Sequence, residues 1–373
     1  MDFSLDENAE ELRGLAAGVL DAEASAERVA AHAAGDEPYD AGAWTAMARA
    51  GLLGACLPAD AGGAGLGAVE LAVLLREVGA RVAPVPAYAT LALAAAPIAA
   101  HGTGAQRAAL AEVADGAVLT AAHREPGGLD PATPRTTARP DGAGYVLDGV
   151  KTAVPYASVA RRMLVPARVE GAGTGVFLLD PHADGVTLDD HPTGASIPAS
   201  RIGLDGVRVA GDALLGGAAD GAAARTLGRY ALAGAAATAS GVLTGALLLT
   251  TEHVRTREQF GRPLARFQAV TMRVGDVYIA LRALDAAMWG ACWRLATGGP
   301  DADDLLAAAA YCVTDDMAAA LYACQHLHGG IGVDVTYPLH RYFAWGKYLS
   351  HLLGGPEARL DALGALATAN SGS

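Results

Sequence analysis

The chain has 373 residues, 52% of them hydrophobic but only 5% aromatic, and a formal net charge of −13. This length can bury one large core or several smaller ones, while the acidic balance argues against nucleic acid or an anionic membrane as a partner. The four cysteines, Cys56, Cys292, Cys312 and Cys324, form no CxxC pair. Reduced thiols in a cytoplasmic protein are therefore expected, and the polar, acidic start MDFSLDENAEELRG lacks the basic flank and apolar stretch of a signal peptide.

From Leu5 to Ala117 apolar residues recur at three- and four-residue spacings in ELRGLAAGVL, AWTAMARAGLL and VELAVLLREVG, which predicts helices. The Pro/Gly-rich LPADAGGAG forms a loop between the last two. Between Ala117 and about Leu215 the texture changes to strand-length runs divided by turn residues: AVLTAAH, GYVLDGV, RMLVPARV, TGVFLLD and GVRV. Long helical patterns return at Ala222–Gln259, Phe267–Thr297, Ala302–His328 and Pro338–Leu352. The first would be about 57 Å long. Within it, Ala231 to Thr251 carries no charge and could span a bilayer by length, but its Ala/Gly/Ser/Thr content suits a helix buried inside a bundle. The expected fold class is α+β multi-domain. A helical domain (1–116) precedes an antiparallel β-barrel or sandwich (117–216), and a C-terminal four-helix bundle (217–373) completes the chain.

Two segments carry candidate chemistry. RTREQFGRPLARFQ lies where one long helix stops and the next begins. Gly261 can end a helix in the left-handed conformation and Pro263 blocks continuation. Neither role explains Arg255, Arg257, Arg262 and Arg266 within twelve residues of an acidic chain. Such a cluster can bind a phosphate-type anion through its forked guanidinium groups, or form a solvated basic turn. The second segment is QHLHGGIGVDVTYPLHRYFAWGK, whose Gly329, Gly330 and Gly332 leave backbone N–H groups open to a ligand or simply cap a helix. His326 and His328, two apart on a helix, do not share a face, so a metal site is not expected.

Taken together and in this order, the two segments resemble the C-terminal signatures of the acyl-CoA dehydrogenase family. The resemblance extends over nearly the whole chain. GLLGACLPADAGGAGLGAVELAVLLREVG is similar to the family's N-terminal helical motif, LTAAHREPGG to its β-domain segment, and DGVKTAV and GVRVAGDALLG to the strands that follow. It implies the acyl-CoA dehydrogenase fold, FAD as cofactor, an acyl-CoA substrate and an electron-transfer flavoprotein as acceptor. It also implies that Arg257 binds the flavin pyrophosphate of a neighbouring subunit, with Phe260 packing beside the cofactor and Gln268 hydrogen-bonding it. His326 through Gly329 and Gly330 would line the adenosine side, although the family usually has Gln where His326 stands.

The chemistry of this family needs a carboxylate that removes the α-proton of the thioester. Counting along the resemblance from Pro338, Arg341 and Lys347, the usual Glu falls on Leu353. The position used by a minority of members falls on Ala231. Neither is an acid. The β-domain departs as well: Arg124 replaces a Thr, and Ala153 and Pro155 replace a Trp–x–Thr pair. This pattern resembles the base-less subunit of actinobacterial heteromeric acyl-CoA dehydrogenases, which implies a second acyl-CoA dehydrogenase subunit, a heterotetramer, and thioesters of sterol side chains as substrates. Two alternatives stay open: a self-sufficient flavoenzyme with a base relocated to Glu357, and a non-catalytic acyl-CoA-binding scaffold.

Overall fold

The computed structural model describes residues 5–371; Met1–Ser4, the start of the polar N-terminus discussed above, lie outside them. Helices α1 (Glu7–Glu23), α2 (Ala26–Ala33), α3 (Ala41–Arg49) and α4 (Ala68–Ala80) open the chain. Asp6, Ser25 and Asp40 cap the first three by accepting hydrogen bonds from backbone N–H groups one turn on. A π-helical stretch, Tyr88–Ala95, leads into α5 (Ala96–His101), and two short helices follow, α6 (Gly104–Ala108) and α7 (Ala111–Ala114).

The β region holds β1 (Leu119–Ala121), β2 (Thr137–Asp141), β3 (Gly144–Pro155), β4 (Arg162–Val169), β5 (Thr174–Leu179), β6 (Val186–His191) and β7 (Ala199–Ala210). They form one seven-stranded sheet. The sheet departs from the antiparallel expectation at one strand. β4 pairs antiparallel with β5 along one edge, and parallel with both β1 and β2 along the other. Met163, Val165, Ala167 and Val169 alternate along β4 and enter one apolar cluster with Leu147, Phe177, Ile202 and Val207. The strands missing from the sequence reading are β2 and β6. β2 is short and polar, and β6 has only Val186 and Leu188 on its packed side before an exposed polar end, so the apolar signal in each is weak.

Beyond the sheet come α8 (Ala222–Thr256), a two-stranded ribbon of β8 (Glu258–Gln259) and β9 (Arg262–Pro263), and α9 (Gln268–Thr297). The chain closes with α10 (Ala302–Thr314), α11 (Asp316–His328), α12 (Leu339–Leu352) and α13 (Gly355–Ser371). Two expectations need correction. The first long helix ends at Thr256 instead of Gln259, because residues 258–263 pair as a hairpin. The expected helix from Ala302 to His328 breaks at Asp315, whose φ of −112° and ψ of −70° leave the helical path.

Contacts divide the chain into two compact units, Met1–Asp36 with Ala72–Ala83 and Ala235–Ser373, and Glu37–Leu71 with Pro84–Gly234. Inside the first, α8 lies at backbone contact with α4. A Cβ on Gly241 would stand 2.0 Å from the Arg76 carbonyl oxygen, and one on Gly245 would stand 2.3 Å from that of Ala80. Only glycine permits this approach. Across the same contact Arg76 donates to Ser240 Oγ at 2.9 Å and to Thr244 Oγ1 at 3.1 Å, while Ser240 donates to the buried Asp285 of α9 at 2.5 Å. Helix α8 is long and apolar enough to cross a membrane by length and composition, as is the stretch Ala302–Val333; 72% of the α8 window is buried.

In the second unit, Lys151 is fully buried, and its Nζ donates to Glu125 Oε1 at 2.6 Å and to the Pro166 carbonyl at 2.7 Å. Glu125 also accepts from the Arg135 and Thr136 N–H groups and from the Thr136 hydroxyl. Burial alone would raise the Glu125 pKa, but Lys151 and Thr136 outweigh it and hold the carboxyl down at about 2. The pair ties the turn after β1 to strands β3 and β4.

Replacing Gly241 with Val should lower stability by about 1–3 kcal/mol or more, because neither backbone can move aside; a thermal melt reads this. A carboxylate with a depressed folded pKa contributes stability above its unfolded value, and that stability is lost as pH falls through the folded one. The urea midpoint should therefore fall from about pH 4.5 toward pH 2 more steeply in the native protein than in Glu125→Gln.

Candidate functional site

Helix α8 stops at Thr256, and the chain turns back on itself at once. Phe260 (φ 56°) and Gly261 (φ 77°) are the two central residues of the β8–β9 hairpin, the pair of positive angles that a tight primed turn requires. Gly261 thus serves the turn and not a helix C-cap. A bulky residue at positive φ is strained, and here the strain presents the Phe260 ring outward, 92% exposed. Its edge rests on Phe267, with ring centroids 6.1 Å apart. Arg262 lies over the Phe267 ring at 4.1 Å, a cation–π contact.

Arg255, Arg257, Arg262 and Arg266 are all exposed, and among the described residues none of them makes a salt bridge. The Arg257 backbone is held at both ends: its N–H donates to His253 O at 2.8 Å, and its carbonyl accepts from Leu264 N–H at 2.9 Å. Gln268 is the first residue of α9 and is exposed.

The glycine turn follows α11. Gly329 sits at φ 62°, ψ −140°, a conformation open to glycine, and both Gly329 and Gly330 face open space. His326 in the last turn of α11 is exposed, whereas Gln325 turns inward and donates to the Gly332 carbonyl at 3.4 Å. The glutamine one place early is thus engaged within its own loop.

What joins the two segments is a pair that the sequence did not single out. His253, one turn before Arg257, stacks on His328, one residue before Gly329, with ring centroids 4.3 Å apart and planes 21° apart. Tyr337 tilts against His328 at 5.3 Å. His328 Nδ1 lies 2.8 Å from the Cys324 carbonyl, so Nδ1–H donates and Nε2 is left as a buried acceptor without a partner. Both rings titrate below the ordinary histidine value. Burial comes first in each case, followed by the Arg257 charge at His253 and by His253 itself at His328. The stack is neutral near pH 7 and sets the hairpin beside the glycine turn. No spacing rule relates His253 to His328, so only the tertiary structure reveals the pair.

The positions where the resemblance places a base are both apolar and buried. Leu353, at the end of α12, is 4% exposed, and Ala231 of α8 is 5% exposed. The Ala231 carbonyl accepts from the Tyr88 hydroxyl at 3.1 Å, and a Cβ on neighbouring Gly234 would stand 2.8 Å from that of Ala92. Beside Tyr230 a cleft of about 290 Å³ is lined by apolar residues such as Leu57, Leu71, Leu91 and Ala95, with no carboxylate among its lining groups. Its one thiol, Cys56, is pushed up to about 12 by burial and then by Glu70, and stays protonated. Glu357 is exposed in the first turn of α13. Among the described residues, no group of three His, Cys, Asp or Glu side chains could hold a metal ion.

Exposed guanidinium groups, an outward aromatic ring and open glycine backbone together suit a phosphorylated aromatic cofactor such as FAD.

The chain is also similar in sequence and fold to known proteins. The acyl-CoA dehydrogenase N-terminal domain matches residues 6–117, and the acyl-CoA dehydrogenase C-terminal domain matches residues 223–365. The acyl-CoA dehydrogenase FadE28 of Mycobacterium tuberculosis is 42% identical over 323 residues, covering 86% of this chain and 91% of that protein. Among solved structures, a variant of the Tcur3481–Tcur3483 steroid ACAD is 41% identical with a TM-score of 0.92, covering 98% of this chain and 99% of that one. The ChsE4–ChsE5 complex from Mycobacterium tuberculosis is 31% identical with a TM-score of 0.92, covering 99% of both chains. By sequence and fold, this chain belongs to the acyl-CoA dehydrogenase family, oxidoreductase flavoproteins whose cofactor is FAD.

Proposed function

We propose that this chain is the base-less subunit of a heteromeric acyl-CoA dehydrogenase, and that it completes the FAD site of an unlike partner. The observation that carries the reading is Phe260, displayed 92% exposed at a strained turn while both base positions, Leu353 and Ala231, are buried hydrocarbon. A ring held outward against its own conformational preference suits contact with another chain.

The reaction is α,β-desaturation of an acyl-CoA thioester, in which a base takes the α-proton and a hydride leaves the β-carbon. FAD supplies the hydride acceptor when bound. The role of this chain is to hold that cofactor: Arg257 for the pyrophosphate, Phe260 against it, Gln268 as a hydrogen-bond partner, and His326, Gly329 and Gly330 along the adenosine side. The base belongs to the partner subunit, because hydrocarbon at 231 and 353 cannot accept a proton.

Similarity to one protein described as a steroid ACAD, and to an acyl-CoA dehydrogenase and a two-protein complex of Mycobacterium tuberculosis, supports CoA thioesters of sterol side chains as substrates, an actinobacterial source and a heterotetramer. The same reading takes the divisions 1–116, 117–216 and 217–373 as working domains, the cytoplasm as location and an electron-transfer flavoprotein as acceptor.

Purified alone, the chain should lack both flavin absorbance and dehydrogenase activity. Co-purified with the product of a neighbouring gene, it should be yellow, active and in equal subunit ratio. A yellow, active homo-oligomer would overturn the reading. In the complex, Arg257→Ala should weaken FAD binding about tenfold or more, the loss expected for a charge-assisted hydrogen bond to phosphate. Glu357→Gln should leave turnover unchanged, as fits an exposed residue at a helix start.

A further inference from the structure

A cavity of about 220 Å³, several times the roughly 30 Å³ that one water occupies, lies away from the hairpin and the glycine turn. Its walls come from the end of α1, the start of α2, the turn after α4 and the start of α12, all within one compact unit. Two guanidinium groups line it, and they differ in what they bind. Arg81 is paired twice, through Nε with Asp21 at 2.7 Å and through Nη1 with Glu77 at 2.6 Å. Arg341 makes no ion pair among the described residues, and its Nε is buried without an acceptor. Burial lowers its pKa from the ordinary guanidinium value, yet an arginine stays protonated in a protein. A buried donor left without an acceptor is costly.

The backbone of the same wall is strained. Val82 is 4% exposed and has a φ of 44°. Its N–H donates to the Gly79 carbonyl, and the Ala83 N–H donates to that of Val78, so Val82 occupies the left-handed turn that ends α4. Glycine makes such a turn without strain, whereas a β-branched residue there is an outlier. What valine supplies and glycine lacks is an apolar side chain in the cavity wall. Val29 and Pro338 add further hydrocarbon.

We propose that this cavity binds a small organic carboxylate, with Arg341 taking the carboxylate and Val29, Val82 and Pro338 packing against its hydrocarbon. The planar guanidinium fork matches a carboxylate. A single negative charge suits the site, because Asp21 and Glu77 stand beside Arg81 and repel a dianion. The apolar wall favours an organic acid over a bare inorganic ion, whose hydration it cannot replace.

The probe is pentanoate, titrated calorimetrically into the full-length chain, alone or with a co-purified subunit. Binding should saturate at one molecule per chain. Pentanol and pentylamine should not bind at the same concentrations, and inorganic phosphate should bind about tenfold more weakly or worse. Arg341→Met should weaken pentanoate binding about tenfold or more, and Arg341→Lys, which keeps the charge but loses the fork, by less. Without ligand, Arg341→Met should melt no lower than the native chain, because it removes an unpaired, half-buried charge. Pentanoate should raise the melting temperature of the native chain and not that of this variant. Absence of saturable binding, equal binding by Arg341→Met, or phosphate or pentanol binding as well as pentanoate would overturn the proposal. So would a large fall in the melting temperature of Arg341→Met, which would make the guanidinium a structural group. None of these readouts involves flavin, so the result stands apart from the proposed function.

Discussion

The structure depends on how closely helix α8 can approach α4. Gly241 and Gly245 remove the side chains that would hold the two backbones apart, and the Arg76–Ser240–Asp285 hydrogen bonds then extend the contact to α9. Small residues explain how a helix rich in Ala and Gly is nonetheless well buried. Their contribution is close van der Waals contact over a long surface, with hydrogen bonds that fix the register. A helix held in register at its middle delivers its last turn, and so His253 and Arg257, to one defined place.

That delivery matters because the candidate site is assembled at helix ends. The last turns of α8 and α11 meet through the His253–His328 stack, and the hairpin and glycine turn extend from there. Both rings are held neutral by burial and by nearby positive charge, so the stack adds no repulsion to the exposed arginines. The arrangement concentrates positive charge locally in a chain that is acidic overall. An anionic cofactor is attracted to such a patch, while polyanions at large are disfavoured.

The β region follows a different logic. Its apolar alternation makes the sheet, but the turn that follows β1 is held by charge: Glu125 against the fully buried Lys151. A buried pair of this kind is costly to break and does little to add net stability, so its value lies in fixing one geometry for the loop.

Much of this was readable from the residues in order. Apolar periodicity marked the helical regions, though not α13, and five of the strands, the Arg and Gly segments marked the family, and Leu353 and Ala231, where the resemblance places a base, needed no coordinates to be noticed. What the sequence could not show depends on partners distant along the chain. Strand β2 exists because a neighbour pairs with its backbone, which leaves no mark on side-chain pattern, and β6 carries only the short alternation of Val186 and Leu188. The hairpin at Phe260 replaced a helix end because β8 and β9 found each other, so Gly261 kept its positive φ but changed its purpose. His253 and His328 became a pair only when two helices brought their ends together. Local preference and composition are properties of neighbours in sequence, and these were decided first. Which side chains are buried, stacked or left facing outward is a property of neighbours in space, and only the tertiary structure decided it.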